Sequence, residues 1–116
     1  MNRVLACALL GGVILAGATC GDPTHSITIH NGLQVPITEY SYGRRDSSYF
    51  EHLSPGTSIV QTWMYPISPD DSRTRRVEAD NLSGGLVFCR DFGYQDLIRL
   101  NWKIEITSGF GQCPPN

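Results

Sequence analysis

The stretch Trp102-Lys103-Ile104-Glu105-Ile106-Thr107 alternates apolar and polar residues at a strict period of two. Successive side chains of a β-strand point to opposite faces of its sheet, so this alternation describes a strand with one buried and one wetted face. Ser26-Ile27-Thr28-Ile29-His30-Asn31 repeats the pattern near the other end of the chain, and Asn31-Gly32 ends it with a turn signal.

The chain between these two stretches reads as further strands punctuated by turns. Residues 33–42 resume as a strand, and Pro36 within it, having no N–H to give to a ladder, indicates an edge or a bulge. Tyr49, Phe50 and Leu53 fall in a short segment closed by Ser54-Pro55-Gly56, where proline presets one turn position and glycine accepts the positive φ of a type II turn. Residues 58–65 follow as a strand with Ile59 and Trp63 on one face, although Gln61 interrupts that apolar stripe and Pro66 ends it. Residues 75–80 place Val77 and Ala79 on an apolar face, and residues 81–85 turn the chain again. Residues 86–89 are apolar on both faces, the pattern of a central strand. Only in residues 91–101 does a helical face compete, through Tyr94, Leu97, Ile98 and Leu100, and a single helical turn is expected there.

These elements predict an all-β fold, a small antiparallel β-sandwich of immunoglobulin-like size with six or seven strands, forming one domain over residues 26–116. Twelve glycines and seven prolines in 116 residues agree with many turns and few helices. A core of this size is marginal, and small domains often gain stability from a disulfide.

Ahead of the domain, Met1-Asn2-Arg3 supplies a positive start, and residues 4–18 run through apolar or small side chains to Ala16-Gly17-Ala18. This is the layout of a secretory signal peptide, expected over residues 1–19, and it is shorter than the roughly 20 apolar residues that span a bilayer. Cys20 stands where a bacterial lipoprotein carries its acylated cysteine, with residues 20–25 as a short linker. Gly17 and Thr19 occupy the places where the lipoprotein pattern has leucine and a small residue, so ordinary cleavage after Ala18 competes with lipidation. Cysteine parity favours lipidation. Once Cys7 leaves with the leader, a lipid on Cys20 allows Cys89 and Cys113 to form a disulfide and strands no thiol in an oxidising compartment.

A formal net charge of -2 and a pI near 5.8 provide no basic field for nucleic acid. His25, His30 and His52 lack metal-ligand spacing, and an odd separation puts His25 and His30 on opposite faces of a strand. Neither His nor Met follows Cys89 closely as a blue-copper centre requires, and Cys89 and Cys113 are too far apart for a Cys-x-x-Cys redox pair. No cofactor is expected. A hydrolase needs a nucleophile with a base, and no nucleophile-elbow signature is present. The remaining lead is aromatic: Tyr40 and Tyr42 on one strand face, with Trp63 nearby in sequence, offer rings for ligand contact.

In layout the chain resembles small bacterial envelope proteins that carry a signal or lipoprotein leader and one β-sandwich domain. The cues are Ile27-Thr28-Ile29-His30-Asn31, Leu53-Ser54-Pro55-Gly56, and residues 85–90 followed by Leu97 and residues 102–106. The resemblance implies a fold and an envelope address and transfers no site residues. The expected function is a non-enzymatic interaction or structural module, anchored to the membrane through Cys20, with an envelope protein or a glycan as partner. A carbohydrate-binding accessory domain using surface aromatics and a small exported hydrolase are the alternatives.

Overall fold

A computed structural model describes residues 24–43, 49–64 and 72–115. The expected leader, Cys20 and the strand end at Tyr65 and Pro66 lie outside the described residues. Seven strands and one helix follow in order: β1 (Thr24–Asn31), β2 (Ile37–Tyr40), β3 (Phe50–Leu53), β4 (Ser58–Met64), β5 (Thr74–Asn81), β6 (Leu86–Gly93), α1 (Tyr94–Arg99) and β7 (Lys103–Ile106). They form a sandwich of a three-stranded sheet, ordered β4-β1-β7, and a four-stranded sheet, ordered β3-β2-β5-β6.

The period-two residues are those that meet between the sheets. Ile27 and Ile29 of β1, Trp63 of β4, and Ile104 and Ile106 of β7 are buried from one side. Ile37, Leu53, Val77, Ala79, Phe88 and Phe92 close the core from the other. Burying an isoleucine or phenylalanine fully is worth roughly 1.5–3 kcal/mol, so this small set supplies most of the force that holds the sheets together.

Three features depart from the expected layout. β1 and β7 pair in parallel, with Thr28 opposite Lys103 and Asn31 opposite Ile106, whereas the other four strand pairs are antiparallel. Alternation specifies which side chains are buried and is blind to which way the neighbouring strand runs. The second departure is β6, which lies at the edge of its sheet and is not central. Its extra apolar surface is covered by the C-terminal tail: Phe110 bridges Phe88, the Cys89 N–H donates to the Phe110 carbonyl, and Cys89 is bonded to Cys113. The Arg76 fork that grips Asp91, with N–O distances of 2.8 and 3.1 Å, also reaches the Pro114 carbonyl at 2.6 Å.

The third departure is Trp102, which opens the most regular alternation yet does not belong to the strand. Asn101 and Trp102 adopt left-handed φ values of 57° and 59°, and the Trp102 N–H returns to the Leu97 carbonyl at 2.8 Å, so these residues terminate α1. The helix itself is a short turn that buries Leu97, and the Asp96 carboxylate accepts the Gly93 N–H at 2.8 Å at its start. The turn after β3 forms as its residues require. The Thr57 N–H donates to the Ser54 carbonyl, and Gly56 takes a φ of +76° at the position that excludes most side chains.

The disulfide spans 24 residues of sequence, and closing a loop of that length stabilises by about 3 kcal/mol. Reduction, or Cys89→Ser with Cys113→Ser, is therefore expected to lower the melting temperature by on the order of 15 °C. Thermal unfolding followed by circular dichroism with and without reductant measures this, and an unchanged midpoint would mean that the tail docks without its covalent tie.

Candidate functional site

At one end of the sandwich the inner faces of both sheets turn polar. On β2 the inward positions are Ile37 and Glu39, and Ser41 continues the row just past the strand. On β4 they are Ile59, Gln61 and Trp63. Glu39 is completely buried and Ser41 nearly so.

The side chains form one connected network. Gln61 Nε2 donates to Glu39 Oε1 at 3.1 Å, and Trp63 Nε1 donates to Gln61 Oε1 at 2.8 Å, which fixes the orientation of the amide. Ser41 Oγ lies 2.6 Å from Gln61 Oε1 and 3.0 Å from Glu39 Oε2. A hydroxyl has a single proton, and an amide oxygen only accepts. The one Ser41 proton therefore faces two acceptors, Gln61 Oε1 and Glu39 Oε2, and where it is donated to Glu39 it favours the ionised carboxylate. Burial works in the opposite direction. Desolvation raises the Glu39 pKa from 4.5 to about 7, the neighbouring Glu51 adds to the rise, and Ser41, Gln61 and Arg75 oppose it without reversing it.

Arg75 of β5 closes over this network. Its guanidinium lies 3.8 Å from the centre of the Tyr42 ring and 4.2 Å from that of Trp63, and its Nε donates to the Ser41 carbonyl at 3.3 Å. Stacking on two rings holds the planar guanidinium in one orientation. Outside it lies a groove of about 370 Å³ between the β3 and β4 sides of the sandwich. Tyr42, Tyr49, Phe50 and Glu51 line one wall, Gln61, Thr62 and Trp63 the other, and Ser41 and Arg75 complete the lining. Tyr42, Tyr49 and Phe50 are exposed by 48%, 58% and 47%, so the site presents rings to solvent beside planar hydrogen-bonding groups.

The three expected contact residues do not form one platform. Trp63 is 1% exposed, so its indole belongs to the core and its N–H to the polar network. Tyr40 is half-buried near Phe50, with ring centres 6.3 Å apart, and does not line the groove. Tyr42 leaves the strand parity because β2 ends at Tyr40 and the chain turns at Gly43, where φ is +86°. It meets Tyr49 at 5.0 Å between ring centres with the planes inclined by 59°, which makes the rings walls of a groove and not a flat surface. Cys89 and Cys113 are bonded to each other as expected.

Glu39, Ser41, Gln61 and Arg75 were not singled out as site residues from the sequence. Gln61 left a trace as the polar interruption in an apolar stripe, and Glu39 stands two residues from Ile37 at the same strand parity. Neither pattern reveals that the two side chains meet across the sandwich.

The histidines are occupied elsewhere. His25 stacks on Trp102 at 3.9 Å with its plane inclined by 6°, and His52 Nδ1 lies 3.1 Å from the Thr38 hydroxyl. His30 sits between Ser58, 2.7 Å from Nδ1, and Glu105, 3.5 Å from Nε2, in a row across β4, β1 and β7. Acyl transfer on such a row requires donors aimed at a developing oxyanion. The nearby Gly32 and Gly56 N–H groups are committed to the carbonyls of Ile106 and Asn31, so the row reads as a cross-strand polar ladder. Among the described residues no group of three His, Cys, Asp or Glu side chains is placed to hold a metal ion. No family model matches the chain, and no curated protein or solved structure shows significant similarity to it.

Because the folded pKa of Glu39 lies above its unfolded value, the stabilisation it contributes is fully present below pH 4.5 and is lost as pH rises towards 7. The difference across this window is about 3 kcal/mol. Glu39→Gln is an uncharged isostere of the protonated acid and cannot ionise. Urea midpoints are expected to coincide for wild type and variant near pH 4.5 and to favour the variant at pH 8; parallel pH profiles would show that Glu39 is ionised in the fold.

Proposed function

We propose that the chain is an exported, non-enzymatic binding module, held at the membrane by a lipid on Cys20, whose groove between β3 and β4 takes a carbohydrate. The observation that carries this reading is the exposure of Tyr42, Tyr49 and Phe50 beside Glu51, Gln61 and the doubly stacked Arg75. Sugars present apolar C–H faces that pack on aromatic rings and hydroxyl pairs that bind planar amide, carboxylate and guanidinium groups. A groove offering both surfaces, on a floor already wired by hydrogen bonds, matches that chemistry.

The address has separate support. The Cys89–Cys113 disulfide fits an oxidising compartment outside the cytoplasm. Pairing these two cysteines leaves Cys20 as the one thiol of the mature chain available for acylation. A lipoprotein's several acyl chains, each buried methylene adding about 0.8 kcal/mol, hold a small domain firmly at a membrane.

The ligand reading is tested by titrating soluble peptidoglycan fragments and neutral oligosaccharides into the mature protein while amide and indole N–H resonances are followed. Shifts confined to the groove are expected, and Tyr49→Ala should weaken binding about tenfold without changing the fold, since that ring is largely in solvent. Absence of shifts with every glycan would remove the carbohydrate reading. The anchor is tested by the intact mass of the native mature protein: acyl addition on an N-terminal Cys20 supports it, and an unmodified N-terminus at Thr19 refutes it.

A further inference from the structure

Among the described residues the sandwich has four outer strands, and three of them are protected. β6 is covered by the tail through Phe110 and the Cys89–Cys113 bond. β3 has four residues and carries Glu51 and His52, while β7 has four and carries Lys103 and Glu105. Short length and charge are the usual means by which a sheet edge is kept from pairing with another strand.

β4 has neither protection. Its seven residues, Ser58-Ile59-Val60-Gln61-Thr62-Trp63-Met64, include no charge and no proline, and its register against β1 is unbroken from Thr24–Met64 to His30–Ser58. Among the described residues β1 is its only strand partner. Its outward face presents Val60 and Met64, exposed by 67% and 63%, on either side of Thr62.

We infer that β4 pairs antiparallel with β4 of a second copy of this chain, joining two three-stranded sheets into one sheet ordered β7-β1-β4-β4-β1-β7. The strand's own sequence selects the occupant and the register. A strand opposed to itself across a twofold axis must tolerate every residue meeting its symmetry mate, which excludes like charges, and β4 has none. Placing Thr62 on the axis sets Val60 against the partner's Met64 and Met64 against the partner's Val60, so each exposed apolar side chain meets another, with the two threonines between them. Shifting the axis to Gln61 would set Met64 against serine and Val60 against threonine, leaving both apolar groups unmatched. The inference does not rest on the carbohydrate reading, because it is argued from the edge and the exposed Val60 and Met64 of β4, although Thr62 on the axis also lines the groove.

The test is analytical ultracentrifugation of the exported chain carrying Cys20→Ser, so that no acyl group adds self-association, from about 1 to 200 μM. A concentration-dependent dimer is expected, with Val60→Lys and Met64→Lys each weakening it at least tenfold. Leu82→Lys, at an exposed apolar residue in the β5–β6 turn, is expected to leave it unchanged. Circular dichroism of each variant establishes that the fold is kept, and two separate β4 variants guard against the failure of one to fold. A Cys20→Ser chain with no β4 substitution that stays monomeric at about 200 μM overturns the inference, whether the edge is open or covered by another segment. So does a dimer that is indifferent to both β4 substitutions, since it would use another surface.

Discussion

Everything in this fold depends on the contact between the inner faces of two small sheets, and β1 is its keystone. Ile27 and Ile29 project from the only strand that pairs on both sides within the three-stranded sheet, linking β4 to β7. A three-stranded sheet has little stability unless its apolar face is covered. The four-stranded sheet covers it with Ile37, Val77, Ala79, Phe88 and Phe92. In a domain this small the margin is a few kcal/mol, so the tail bonded through Cys113 is an integral part of the structure.

The polar end of the interface is the exception to that rule. A carboxyl group withdrawn from water is costly, and the structure accommodates Glu39 by giving both its oxygens hydrogen-bond partners while desolvation raises its pKa to about 7. The same hydrogen bonds fix Ser41, Gln61 and Trp63, and the Arg75 stack rests on Tyr42 and Trp63 above them. The groove is thus a preorganised surface, since its floor is held in place before any ligand arrives.

Much of the fold was legible because burial imposes a period on sequence. Ile27, Ile29, Ile104 and Ile106 announce their strands by alternation, and Ser54-Pro55-Gly56-Thr57 announces its turn by backbone chemistry. The edge position of β6 was not legible, because residues 86–89 look alike whether their second face is covered by neighbouring strands or by a tail. Trp102 was misplaced for a related reason: its apolar ring fits the alternation, yet it ends a helix in a left-handed conformation and stacks on His25. The candidate site was less legible still. Tyr42 was visible as an aromatic residue, but its partners come from β3, β4 and β5, and no local pattern connects them.

By itself the sequence determined most strand faces, the tight turns and the short helix, and the cysteine count made Cys89 with Cys113 the pair expected if Cys20 carries a lipid, a pairing the structure shows. These follow from local backbone preference, from the period of two, or from redox arithmetic. Only the tertiary structure decided that β1 and β7 run parallel, that Trp63 is core and not platform, and that Glu39 meets Gln61 across the sandwich beneath Arg75. The physical reason is the same in each case. Which sheet face confronts which, and in what register, is settled by packing and desolvation between residues far apart in the chain.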